Sequence, residues 1–205
     1  MKPLLYIMLI ALVNNLDNIG ARIAYSIRGI KINISINLWI AVITFIISAF
    51  AAFSGTLITG VLSRKWSSVI SMLLLTAIGL WIIAEPYMKR SSSFLKEFQQ
   101  ESGASIWHIM MKPEKADKDD SKHIDFKEAT VLGIALSINN IGGGLGAGMI
   151  GLNSLWVGFF SAVISFLALW GGNYITDYFT RWNIGNKATV IAGLVLIVIG
   201  IEQII

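Results

Sequence analysis

The chain has no cysteine among its 205 residues, two histidines, three prolines, and only 14% charged residues. Without cysteine there is no disulfide framework and no thiolate metal or redox site. A soluble domain carries about 25% charged and about 45–50% apolar residues. Here 55% are apolar, so an ordinary soluble domain is excluded. The net charge of +4 gives little sign of a nucleic-acid surface, because half of the sixteen Lys and Arg lie in one mixed-charge segment, 89–127.

What is present is apolar length. Six runs occupy roughly 3–27, 37–60, 67–88, 129–150, 155–178 and 188–205. A spanning helix takes about 20 mostly apolar residues. The expected fold class is therefore an all-α membrane protein with six transmembrane helices lying in the lipid bilayer. The first run does not read as a signal peptide. Asn14, Asn15, Asp17 and Asn18 interrupt it, and no small-residue cleavage site follows.

The runs repeat. Asp17-Asn18-Ile19-Gly20 answers to Asn139-Asn140-Ile141-Gly142, and Gly29-Ile30 to Gly151-Leu152. Ser48, Ala51, Gly55, Ile58 and Thr59 answer to Ser165, Ala168, Gly172, Ile175 and Thr176; Ile78-Gly79 answers to Ile199-Gly200. Three matches in the same order point to a duplicated unit. The division is residues 1–88 for the first repeat, 89–127 for a charged loop and 128–205 for the second repeat. Three spans per half is an odd number, so halves joined by a non-crossing loop insert with opposite orientation. That is the inverted-repeat plan of many secondary transporters, with substrate held near the midplane.

Twelve Lys and Arg fall on the side of the central loop and three on the other, with Arg22 inside the first span. By the positive-inside rule the loop is cytoplasmic and both termini are outside. The stretch 112–120 reads as a solvated, mobile linker. His108 and His123, near Asp119, Asp120 and Asp125, fit no standard metal-ligand spacing. Trp39, Trp66, Trp81, Trp156 and Trp182 lie near span ends, as interfacial anchors do. Asp177 and Glu202 read as solvated or headgroup-facing end residues, and Glu85-Pro86 as the point where the third helix stops or kinks.

Polar groups inside a span usually face the protein interior or a water-filled path. On a helix through the first run, Asn14, Tyr25, Asn18, Arg22, Asn15 and Ser26 share one half of the surface with Asp17. The fourth run repeats the pattern with Ser137, Asn139, Asn140, Gly144 and Gly148, placing Gly144 where the first run has Arg22. In an inverted pair the two Asn-rich motifs meet near the pseudo-twofold axis. They offer one carboxylate, several amide oxygens and, if either helix is broken near Gly20 or Gly142, backbone carbonyls. Such donors suit hard divalent ions. Neither histidine is in a span, which disfavours a dedicated zinc or copper path. The alternatives are interhelical glue or an organic solute whose carboxylate Arg22 binds. Gly146, Gly148 and Gly151 match G-x-G-x-x-G, but no βαβ unit surrounds them. Gly144 and Gly148 read instead as a helix-packing surface. With no Ser-His-Asp set, H-E-x-x-H or catalytic carboxylate pair, an enzyme is disfavoured and no cofactor is expected.

At Asn14-Asn15-Leu16-Asp17-Asn18-Ile19-Gly20 and Ser137-Ile138-Asn139-Asn140-Ile141-Gly142-Gly143-Gly144 the chain resembles the small bacterial manganese efflux pumps, especially their sporulation-membrane-protein branch. The resemblance implies a bacterial plasma-membrane exporter of Mn²⁺, with Asp17 at the first acidic position. Asn139 stands where those pumps carry a second Asp, so the site is near neutral beside Arg22. On the residues' own chemistry the expected metal ligands are Asp17, Asn18, Asn139 and Asn140, with Asn14 and Arg22 completing the substrate site. Proton exchange through Asp17 is a compatible drive, and an oligomer is compatible with the pattern. Besides the organic-solute exporter, a non-transporting sporulation or assembly protein is the remaining reading.

Overall fold

A computed structural model describes residues 2–28, 30–61, 64–89, 109, 116–117, 121–182, 190, 194–195, 197–199 and 201. Among these residues six extended α-helices follow in chain order: α1 Lys2–Asn14, α2 Leu16–Arg28, α3 Ile34–Val61, α4 Arg64–Lys89, α5 Phe126–Met149 and α6 Ser154–Trp182. Residues 190, 194–195, 197–199 and 201 are also helical. Among the described residues, four helical stretches are long and apolar enough to cross a bilayer: Pro3–Ser26, Ile34–Gly60, Phe126–Met149 and Ser154–Gly171. α4 contains a shorter apolar stretch, Val69–Leu80. The chain is a multi-pass, all-helical membrane protein.

Its polarity runs opposite to that of a soluble domain. Leu38, Val42, Ile46, Phe50, Phe53 and Leu57 are exposed in a stripe along α3, while Thr44, Ser48, Ala51, Ala52 and Gly55 are buried on the other face. Spacings of three and four residues keep each set on one face. An apolar stripe of this length outside and hydroxyls inside are what a helix needs between lipid and a polar interior.

α3 packs along both α5 and α6, while α1 and α2 pack on α6 and α4 packs on α5. Small residues permit the closest of these contacts. A Cβ on Gly148 would run into the Ala52 carbonyl, and one on Gly55 into the Leu145 carbonyl. Gly144 lies against Ser48 O and Ala51 Cβ. Its bare face thus admits α3 rather than a long side chain from α2.

Two details depart from the sequence reading. α4 continues through Pro86 to Lys89, so the proline falls inside the last turn instead of ending the helix. Part of the central segment is also packed. Ile109 and Ala116 are buried in a cluster with Tyr25, Ile30, Ile124 and Leu132, and Asp117 is buried too. Asp117 Oδ1 accepts from Ser121 N at 3.1 Å and Oδ2 from Lys122 N at 3.0 Å, fixing a turn in which Lys122 has φ 61°. Lys31 N then donates to Lys122 O at 2.8 Å and Ile124 N to Lys31 O at 3.4 Å, tying the segment after α2 to the one before α5. A charge run predicts solvation on average, but a single alanine and isoleucine can still find the apolar end of the bundle.

Candidate functional site

The first span is not one continuous helix. It breaks at Asn15, between α1 and α2, near the middle of Pro3–Ser26. There Asn15 N donates to Leu12 O at 3.3 Å and Asn18 N to Asn15 O at 3.2 Å, bonds one residue tighter than α-helical. The side chain takes over the vacated partner: Asn15 Nδ2 donates to Ala11 O at 2.8 Å. An Asn at the break is suited to this, because its amide can replace the backbone N–H that the turn redirects. α2 therefore begins inside the span, with Asp17 in its first turn and Asp17 Oδ1 accepting from Asn18 N at 3.0 Å. The positive end of the helix dipole favours a carboxylate at that position. α5, by contrast, runs unbroken through Gly142.

The two Asn-rich motifs meet. Asn139 Nδ2 donates to Asp17 Oδ2 at 2.8 Å across 122 residues of sequence, in an exposed position. Behind this pair lies a fully buried polar network. Asn18 Nδ2 donates to Ser165 Oγ at 2.8 Å and to Asn15 Oδ1 at 3.1 Å. Asn140 Nδ2 donates to Ser48 Oγ at 3.0 Å and to Asn15 Oδ1 at 3.5 Å. Thr44 Oγ1 extends the network to Ser137 Oγ at 3.1 Å and Ser165 Oγ at 3.3 Å. The two Asn–Ser bonds are reciprocal, since Asn18 and Ser165 stand in the first and second halves and Asn140 and Ser48 in the second and first.

Several buried polar atoms have no hydrogen-bond partner: Asn18 Oδ1, Asn140 Oδ1, Asn14 Nδ2, and Nε and Nη1 of Arg22. An orphaned buried acceptor or donor costs about 1–3 kcal/mol in the folded chain. Arg22 is 5% exposed and lies one turn beyond Asn18 on α2. Asn14 is pressed against Gly143, where a Cβ would strike its amide. All six residues expected from the sequence are thus buried or part-buried in one region of the bundle, apart from Asn139, which is exposed. Sequence reasoning left out Asn15, Ser48, Ser165, Thr44 and Ser137 as site residues. The matched positions of Ser48 and Ser165 were the available signal; the helix break at Asn15 had none beyond the Asn-Asn dipeptide.

Among the described residues no group of His, Asp and Glu could hold a metal ion by itself. In the central segment, Asp125 Oδ1 accepts from Glu128 N at 2.7 Å and Glu128 Oε2 accepts from Asp125 N at 3.2 Å, a reciprocal N-cap for α5. His123 belongs to the backbone bridge with Lys31. His108, Asp119, Asp120 and Glu202, and the side chains of Glu85 and Asp177, lie outside the described residues. An open groove of about 330 Å³ lies away from the polar centre, between Pro3, Leu4 and Ile7 of α1 and Gly151, Leu152, Asn153 and Trp156.

Residues 29–204 match the family described as "Putative manganese efflux pump". The chain belongs to that family. The match begins just beyond α2, so the membership rests on the other spans and not on Asp17. A relative that includes the first span is the "Probable sporulation protein YtaF" of Bacillus subtilis (strain 168). It is 28% identical over 206 residues, covering 97% of this chain and 98% of the relative. No solved structure matches.

Proposed function

We propose that the protein exports a divalent cation, Mn²⁺ first among them, by alternating access through a midplane site between two inverted three-helix repeats. The observation that carries this reading is the pair of buried, unpartnered amide oxygens, Asn18 Oδ1 and Asn140 Oδ1, beside the Asp17–Asn139 contact. Amide oxygen, carboxylate and water suit a hard cation, and membership of the manganese efflux family supports Mn²⁺. Asp17 supplies the charge, Asn18 and Asn140 the neutral oxygens, and Asn139 joins them when its amide turns from Asp17 to the ion. Asn14 lines the same place.

The reciprocal Asn18–Ser165 and Asn140–Ser48 bonds support the inverted repeat, because one twofold operation exchanges them. Positive-inside logic puts the central loop in the cytoplasm and both termini outside. Rocking of one repeat against the other then exposes the site to each side in turn. Asp17 is the natural proton carrier if export is coupled to proton entry.

Expression in a manganese-sensitive bacterial strain tests the reading. Growth in excess Mn²⁺ is restored by the protein and abolished by Asp17→Asn at unchanged protein level. Rescue that survives Asp17→Asn removes the central ligand.

One observation favours a second reading. Nε and Nη1 of Arg22 are buried donors without acceptors, and the carboxylate of an amino acid would supply an acceptor to one of them, the two lying on different edges of the guanidinium. Loss of amino-acid export in Arg22→Ala, with no effect of the protein on manganese tolerance, would establish it. The name of the Bacillus relative suggests a third role, a sporulation membrane protein that transports nothing. Its signature is a site that binds no ion although Asp17 and Asn139 substitutions lower the melting temperature.

A further inference from the structure

An asparagine side chain presents oxygen on one side and NH₂ on the other, and its hydrogen-bond partners alone decide which end faces where. Around Asn15 that decision passes along a chain of contacts. The break between α1 and α2 redirects Asn15 N to Leu12 O, leaving the Ala11 carbonyl to the Asn15 side chain. A carbonyl can only accept, so Asn15 must turn Nδ2 toward it and Oδ1 away. Oδ1 then faces two more amides, Asn18 at 3.1 Å and Asn140 at 3.5 Å. Facing an acceptor, both must present Nδ2.

Their second N–H groups go to Ser165 Oγ and Ser48 Oγ. A serine hydroxyl can donate or accept, so the serines follow the polarity without setting it. Both Nδ2 groups are thereby used by the protein, and both Oδ1 atoms remain free and buried. Reversing either amide would set two oxygens against each other in a dry interior.

We infer that Asn15 is the specificity-determining positioning residue of the site: anchored on the Ala11 carbonyl that the helix break exposes, it holds Asn18 and Asn140 with their oxygens free for a cation. Asn15 is not itself a ligand, since its oxygen is occupied twice. Without it, each amide can present NH₂ to the site and repel a cation. The consequence for ion binding rests on the divalent-cation reading above. The amide polarity does not, and is measurable without any ion.

Two measurements on the full-length protein in detergent test this. The first uses ¹⁵N-asparagine labelling of the metal-free wild-type protein. The side-chain NH₂ protons of Asn18 and Asn140 exchange slowly with water, and the wild-type result needs no variant to fold. Fast exchange of both groups overturns the inference.

The second is Mn²⁺ affinity. Asn15→Leu removes the acceptor at similar volume and weakens binding about tenfold or more, as expected for a lost buried hydrogen bond or two. Asn15→Asp keeps an acceptor for both amides and, as the neutral acid that burial favours, an O–H for the Ala11 carbonyl, so affinity stays within about threefold. A packing role predicts the opposite order, because leucine is at home in a buried site and a carboxyl group without assigned partners is not. Unchanged affinity in Asn15→Leu overturns the inference. Slow exchange of both amides in a wild-type protein that binds no Mn²⁺ would remove the cation reading and leave the polarity assignment standing.

Discussion

Gly148→Ala is the substitution whose outcome follows most directly from the geometry. A Cβ at this position would enter the Ala52 carbonyl and come within 2.9 Å of Thr56 N, both of them rigid α3 backbone. Carbon and oxygen atoms in close helix contacts sit about 3.3–3.6 Å apart, so α3 and α5 must part by roughly 1.5 Å or more. Overpacking of this kind costs about 1–3 kcal/mol. At about 2–4 °C per kcal/mol for a chain of this size, the melting temperature falls by roughly 2–12 °C. The same separation reaches the site. Asn140 lies about two turns along the same helix, and its 3.0 Å bond to Ser48 on α3 would lengthen past hydrogen-bonding range.

Thermal unfolding of the purified protein in detergent measures the effect, with Gly20→Ala and Gly60→Ala as controls. A Cβ at Gly20 or Gly60 meets nothing within 4 Å. Both lie inside helices, where alanine is favoured over glycine by about 0.5–1 kcal/mol. The controls should therefore melt at or above the wild-type temperature. If Gly148→Ala melts with the controls, the direct α3–α5 backbone contact is refuted, and with it the account of how α5 is positioned.

The two reciprocal contacts should behave alike: double-mutant cycles for Asn18–Ser165 and Asn140–Ser48 should each give a coupling of about 0.6 kcal/mol, typical of interhelical bonds in membranes. Unequal couplings in chemical denaturation would argue against the pseudo-symmetric placement. Arg22→Met should raise stability by about 1–3 kcal/mol, because it removes buried donors that have no partner. A fall in melting temperature would mean that those nitrogens are satisfied in the folded protein. Asp125→Ala removes the N-cap of α5 and should cost about 1 kcal/mol, with Asp125→Asn losing much less; equal losses would assign the effect to charge and not to the cap.

Hydropathy and spacing carried the class of the protein, because a helix in lipid must satisfy its backbone internally and show apolar side chains outward over about 20 residues. Those rules act locally, so the apolar runs and the buried face of Asn14, Asn18, Arg22 and Tyr25 can be read from order alone. The Asp-Asn and Asn-Asn motifs were legible too, since their likeness is itself a pattern in the chain. Their contact, Asp17 to Asn139, is a matter of tertiary packing. So are the break at Asn15, the use of Gly144 and Gly148 to admit α3, and the burial of Ala116 and Asp117 within a charged segment. The polarity of the amides lies furthest from the sequence. An asparagine has the same composition whichever end faces the site. Only its partners, one a carbonyl freed by a helix break and the others on α3 and α6, decide between oxygen and nitrogen. The absence of cysteine and scarcity of charge thus leave the inner chemistry to amides and hydroxyls, and the tertiary structure alone gives those groups a direction.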